Sequence, residues 1–246
     1  MEISDFSNNF DVLLNSYAAS ANFGSTDNPI TIELDEYEKS VFLTKAQEEI
    51  VTSLYTGRNN TGKGFEETEE LRRYLANLIE VAEIEPEDTD NNDKLPPAIG
   101  DKSYFFILPE NLWFITYESV SATRSGTEAC GNECNIDVIP IKQDEYHRIK
   151  KNPFRGANDR RALRLDLSDG IVEIICKYTI TKYYLRYLRK LQPLILSDLG
   201  DGLEINGEST ASQGCELDSS LHQKVLERAV SLALASRGIY QKEQNN

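Results

Sequence analysis

The sequence predicts an α+β protein, with N-terminal helices and a C-terminal helix packed with a mostly antiparallel β-sheet region. Three observations carry that prediction. Apolar residues recur at three- and four-residue steps in the first third of the chain and again near its end, the period of a helix with one buried face. Between residues 99 and 196, aromatic and β-branched runs alternate with turn residues, the pattern of strands and hairpins. An acidic, proline-bounded segment separates the two regions. The 246 residues read as one domain: a helical region over residues 1–85, an acidic loop 86–98, a β-rich region 99–196, a polar loop 197–214 and a C-terminal helix 215–240.

Ile3, Phe6, Phe10, Leu13, Leu14 and Tyr17 share one helix face, and Gly24 with Asn28-Pro29 ends that helix. Ile30–Leu34 is a short strand candidate. Asp35 and Glu38 then form a capping box, the aspartate accepting a backbone N–H while the glutamate reaches back. The helix they open has Tyr37, Val41, Lys45, Ala46, Ile50 and Leu54 as its expected buried stripe. Residues 57–64 (GRNNTGKG) contain Gly, Lys and Thr without Walker spacing or a preceding buried strand, so a plain loop is expected. A third helix should run from Glu66 to Ile84 on Leu71, Tyr74, Leu75, Leu78 and Ala82. Glu66, Glu67, Glu69 and Glu70 lie near its positive N-terminal end and need no catalytic role there.

In the β-rich region, Ser103–Pro109 and Leu112–Val120 around Glu110-Asn111 read as a hairpin, and Asn135–Ile141 as a strand paired with the second arm. Asp144–Lys150 is a short helix stopped by Asn152-Pro153, since the residue before proline is pushed out of helical geometry. Leu163–Asp166 and Ile171–Lys177 flank Ser168-Asp169-Gly170, a hairpin signal because Asp-Gly tolerates positive φ. Thr179–Lys190 fits either a helix face or a strand, with Thr179-Ile180-Thr181 favouring a strand at its start. Leu194-Ile195-Leu196 is a short buried segment. The last helix, Asp218–Ser236, carries Leu221, Val225, Ala229, Leu232 and Ala233 inward and is stopped by Gly238.

Neither histidine, His147 or His222, sits in a catalytic motif, and no nucleophile elbow is present. Cys130 and Cys134 lack the second Cys or His pair that a zinc site requires, so a loop with incidental thiols is the plainer reading. Four scattered cysteines, Cys176 and Cys215 among them, read as reduced thiols. No enzyme activity, cofactor or metal is expected. The N-terminus lacks the basic start and apolar run of a signal peptide, and no segment approaches the ~20 apolar residues of a membrane span. The expectation is a protein of the cytoplasm, or of a particle assembled there, without a membrane partner.

Charge is the strongest remaining signal. The stretch Lys142–Leu196 carries 13 of the 26 lysines and arginines but 6 of the 41 acidic residues, a balance of +7 in a chain of net −15, leaving −22 elsewhere. Segregated charge favours docking between copies or onto a partner. Arg155, Arg160, Arg161 and Arg164 surround turn residues, while Arg186, Arg189 and Lys190 interleave with Tyr183, Tyr184 and Tyr187. Arg and Tyr are enriched at interfaces, so these residues form the expected subunit or partner interface. The alternative is a nucleic-acid-binding regulator that uses the basic 142–190 stretch, an idea weakened by the overall −15.

Five collinear phrases between Phe10 and Ala235 then converge: FDVLLNSYA, DEYEKSVFLTKAQEEIV, KQDEYHRIKKNPFRGANDRRALRLD, YYLRYLRKLQPLIL and CELDSSLHQKVLERAV. Together they resemble a structural protein of tailed phages that infect Bacteroidetes, of the crAss-like type, which forms rings in the connector between portal and tail. The resemblance implies a homo-oligomeric, typically twelvefold ring. It also implies contacts to the portal protein and other tail or ring proteins, and packaged DNA passing through the channel without sequence specificity. An acidic lumen would let that DNA slide. No catalytic residues come with the resemblance.

Overall fold

Two units divide the chain, Met1–Asn77 with Leu191–Asn246, and Leu78–Lys190. The structure is a computed structural model that describes residues 1–21, 32–58, 62–88, 95–100, 102–123, 133–200, 202–207 and 210–237. Among these residues it has five helices and one seven-stranded mixed sheet, so the α+β class holds.

The first unit is helical. Helix α1, Ile3–Ala21, buries Phe6, Phe10, Leu14 and Ala18, a strict four-residue repeat. Leu13 and Tyr17 sit at its margin, and the expected stop at Gly24 and Asn28-Pro29 lies outside the described residues. Ile32–Leu34 is not a strand. The Ile32 N–H donates to Asn15 Oδ1 at 3.0 Å, a side-chain bond in place of a ladder bond; Ile30 and Thr31 lie outside the described residues.

Helix α2, Glu36–Thr56, opens on the expected capping box and ends at Gly57 in left-handed geometry, φ 74°. Its buried stripe is rotated from the expected one. Ser40, Leu43, Thr44, Gln47, Val51 and Leu54 face inward, whereas Val41 and Lys45 are exposed and Tyr37 and Ile50 are half-buried. The polar residues are there because they grip a second chain segment. Gln47 Nε2 donates to the Gln192 carbonyl at 2.7 Å; Thr44 Oγ1 accepts from the Leu194 N–H at 3.0 Å and donates to its carbonyl at 3.3 Å; Ser40 Oγ accepts from the Leu196 N–H at 3.0 Å. Four helical residues rise about 6 Å and two extended residues about 6.6 Å, so the two spacings keep step over this short run. Leu194, Ile195 and Leu196 are buried, as expected.

Lys39 is 4% exposed and held by Asp11 at 2.7 Å and Glu36 at 3.0 Å. Burial pulls its pKa down, but the hydrogen bonds to these two carboxylates outweigh that and leave it raised.

The third expected helix is short. Helix α3 spans Glu69–Leu75 behind a Thr68 cap, followed by a 3-10 turn at Ala76–Leu78. The next residues, IEVAEI, alternate with a period of two and become strand β1, Ile79–Ile84, in the second unit. Helix α5, His222–Ser236, closes the first unit by packing Val225, Leu226, Ala229, Val230, Ala233 and Leu234 toward α1 and α2. Leu232 is half-buried, and Gly238 lies outside the described residues.

The second unit holds the sheet. Its strands are β1, β2 (Ser103–Ile107), β3 (Leu112–Thr123), β4 (Glu133–Pro140), β5 (Arg161–Asp166), β6 (Ile171–Ile175) and β7 (Thr179–Arg189), in the order β1-β7-β3-β4-β5-β6-β2. Only β4 and β5 run parallel, and the crossover between them carries helix α4, Tyr146–Lys150. The expected hairpin of Ser103–Pro109 with Leu112–Val120 does not form. Strand β2 pairs with β6, and β3 pairs with β4 and β7. The β5–β6 hairpin does form, with Asp169 and Gly170 at φ 57° and 71°.

The sheet is curled. Tyr183 on β7 and Phe106 on β2 stand five strand steps apart in the order, which at about 4.8 Å per step would put ~24 Å between them on a flat sheet. Their ring centroids lie 5.1 Å apart. The Glu87 N–H, just beyond β1, donates to the Phe105 carbonyl on β2 at 2.8 Å, so the chain after one edge strand meets the other edge. Inside the curl sit Phe106, Val120, Ile136, Val172, Ile174 and Tyr183.

Candidate interaction surface

The basic stretch supplies two pieces of the outer surface of the second unit, one at a turn and one on a strand. The turn is built by Asn152. Its carbonyl accepts from the Arg155 and Gly156 N–H groups at 3.2 and 2.8 Å, and its Oδ1 accepts from the Phe154 N–H at 2.9 Å, an Asx turn. A Cβ at Gly156 would stand 3.0 Å from the Asn152 carbonyl oxygen, so glycine suits that closure. Arg161 Nη1 donates to the Phe154 carbonyl at 2.8 Å and ties the turn to β5. The fixed backbone leaves the Phe154 ring 84% exposed, with Arg155 and Arg160 exposed beside it.

On β7 the side chains alternate. Tyr184 and Arg186 point outward, opposite Glu83 and Val81 of β1. Tyr117 of β3 faces Arg186 from the other side, and its hydroxyl donates to Asp137 on β4 at 3.3 Å. Asp137 in turn is register partner to Arg161 on β5. A continuous row, Val81, Arg186, Tyr117, Asp137 and Arg161, therefore crosses the outer face from the β1 edge toward the Phe154 turn. Val81 is 68% and Tyr117 50% exposed. Beside the turn, Ile139, Pro140, Ile141, Ile149 and Leu163 floor a groove of about 600 Å³ bordered by Lys142, Arg155, Arg161, Glu145 and Asp166.

Three residues of the expected interface face inward, and at these positions the expectation is corrected. Arg164 is buried and pairs with Glu118 at 2.7 Å, with Asp166 Oδ1 2.9 Å from its Nε. Tyr183 is fully buried and donates to Glu118 Oε2 at 2.6 Å. Burial pushes the Glu118 carboxyl up while the Arg164 guanidinium and the Tyr183 hydroxyl pull it back; the guanidinium itself stays charged. Tyr183 is pushed up by burial and by the Glu118 charge. Tyr187 is buried with its hydroxyl 2.9 Å from Glu80 Oε2, and Arg189 reaches Glu80 Oε1 at 3.3 Å. A strand alternates its faces, so a Tyr/Arg run cannot present every member on one side. Arg155, Arg160, Arg161, Tyr184, Arg186, Arg189 and Lys190 keep at least partial exposure.

The sequence reading does not single out Phe154. The signal available for it is the N-P-F-R-G turn, where an aromatic ring has no strand or helix face to point into. The Glu118–Arg164–Tyr183 cluster is likewise unforeseen, although Arg164 between Leu163 and Leu165 marks a charge inside an apolar strand.

Among the described residues no group of three or more His, Cys, Asp and Glu side chains could hold a metal ion. Cys130 lies outside the described residues, Cys134 is half-buried on β4, and burial pushes the Cys176 thiol up, away from nucleophilic use. No described helix is long and apolar enough to cross a membrane.

Comparison with known proteins adds a family. The family model for phage tail ring protein 3/4 matches residues 1–245. Ring protein 3 of Bacteroides phage crAss001 is 47% identical over 234 residues, covering 95% of each chain. Ring protein 4/5 of the same phage is 35% identical over 247 residues, covering 96% of this chain and 93% of that one.

Proposed function

We propose that this chain, which belongs to the phage tail ring protein 3/4 family and is thus a structural ring protein of a crAss-like virion, forms a homo-oligomeric ring in the head–tail connector. In this reading the ring is twelvefold, stands between the portal protein and the tail, touches other ring proteins, and lets packaged DNA pass without sequence specificity. Assembly takes place in the host cytoplasm.

The observation that carries the reading is the row of Val81, Arg186, Tyr117, Asp137 and Arg161 ending at the Arg155–Arg160 turn, on a chain of net −15. Such a basic, aromatic face suits a neighbour rich in carboxylates, and with −22 outside the basic stretch every copy carries a surplus of them. The same surplus of negative charge supports passage of DNA over adhesion to it. Quantitative mass spectrometry of purified particles tests the reading. The chain should be present in a fixed ratio to the portal protein, and its absence from particles would overturn the proposal.

A further inference from the structure

We propose that Phe154 is the anchor by which one copy of this chain docks on an acidic surface of a second copy, with the adjoining Ile139-Pro140-Ile141 groove as the rest of the contact. The inference deepens the ring reading and rests on it, since it assigns the occupant of the basic face.

Exposure comes first. Phe154 is 84% exposed, the most exposed of the large hydrophobic side chains in the described residues. A phenyl ring left in water forgoes the favourable transfer that burial would give it, and a partner surface over the turn tip would supply that burial. Rigidity comes second. The Asn152 Asx turn, the Gly156 closure at 2.8 Å and the Arg161–Phe154 bond at 2.8 Å fix the backbone before any partner arrives. An aromatic side chain on a fixed backbone has only its side-chain torsions left to order on binding, which suits an interface anchor. Third, the groove of about 600 Å³ beside the ring is apolar on its floor and bordered by Arg155, Arg161 and Lys142, with Glu145 and Asp166 on the same rim.

Charge then selects the occupant. Two copies meeting through this same face would bring Arg155, Arg160 and Arg161 against their own equivalents, a juxtaposition of like charges that opposes a two-fold dimer. The face fits a different, acidic surface, and the chain itself carries −22 outside the basic stretch. A contact between two unlike surfaces of one protein is heterologous, and heterologous contacts build a ring where the rotation between neighbours closes. A stable contact of this kind needs about 800 Å² per partner. The knob and groove would form its centre, and the Tyr184–Arg186 row would extend its rim.

The test replaces Phe154 with the photoreactive analogue p-benzoylphenylalanine in the full chain, assembles it into particles and irradiates them. The expected product is a covalent adduct between two copies of this chain, with the captured peptide rich in Asp and Glu. An adduct only to a different virion protein overturns the second-copy assignment, and variant chains present in particles without any adduct overturn the interface itself. Absence of the chain from wild-type particles is a separate result, which defeats the ring reading instead. In a competition between Phe154→Ser and wild-type chains, incorporation of the variant should fall roughly tenfold or more with an unchanged unfolding midpoint. Equal incorporation overturns the proposal, and if the serine variant unfolds early, the photoreactive chain decides.

Discussion

At the scale of single residues, the second unit depends on charges placed inside it. Glu118, 7% exposed, receives Arg164 and Tyr183 on its two oxygens at 2.7 and 2.6 Å. Removing one member strands the others without water. Glu118→Ala should therefore lower the stability of the second unit by about 3–5 kcal/mol, whereas a Glu118→Leu/Arg164→Met/Tyr183→Phe variant, which removes every polar member of the cluster, should recover most of that loss. Urea unfolding of the wild type, of Glu118→Ala, of Glu118→Leu, Arg164→Met and Tyr183→Phe singly, and of the combined variant measures both, and a combined loss equal to the sum of the three constituent single losses would contradict the coupling. In the first unit the His222 ring is 8% exposed, with Nε2 3.0 Å from the Leu217 carbonyl and Nδ1 2.9 Å from the Met1 amine. Burial holds its pKa below the usual value despite the Leu217 bond. Folding thus favours the neutral ring. Its contribution is complete above the unfolded value of about 6.5 and is lost as pH falls from there toward the folded value. Unfolding midpoints taken from pH 7.5 down to 5 should decline, and decline less for His222→Gln. Identical slopes would rule the histidine out as a cause.

At the scale of elements, the ladder from α2 to residues 192–196 shows how a helix can be organised by polar contacts on its buried side. Thr44 satisfies both backbone groups of Leu194. Thr44→Val keeps the shape and leaves an N–H and a carbonyl buried without partners, a loss of about 1–3 kcal/mol; a calorimetric midpoint equal to wild type would show that water replaces the hydroxyl. This ladder also explains what the sequence can reveal. The capping box at Asp35 and Glu38, the Asp169-Gly170 hairpin and the helix before Asn152-Pro153 are legible because their signals are local. The α2 stripe is not, because Ser40, Thr44 and Gln47 are buried by a segment about 150 residues away, which no local period can report. The run from Ile79 to Ile84 reads as the end of a helix since it follows a genuine one, and its pairing with β7 spans about a hundred residues of chain. The expected hairpin fails for the same reason. Both arms are strands, but their partners are set by the curl of the sheet, not by the four-residue turn between them.

For the whole molecule, charge and family point the same way. The basic stretch sits within a chain of −15, so the isolated protein should pass through a DNA column at physiological salt. Retention that is sensitive to salt and abolished by changing Arg155, Arg160 and Arg161 to Ala would instead favour a regulator working through those residues. The proposed interface is legible in the sequence as a charge anomaly and as a run of Tyr and Arg. Which members face outward is not, because that depends on strand parity and on the bulges where β3 meets β7. As proposed, this protein forms a ring of the connector. Cryo-microscopic reconstruction of purified virions, focused on the junction between head and tail, tests it most directly. A closed ring between portal and tail is expected, into which the curled seven-stranded unit fits copy by copy, the Phe154 turn of each seated on its neighbour. A neck without such a ring, or this chain located elsewhere in the particle, would contradict it.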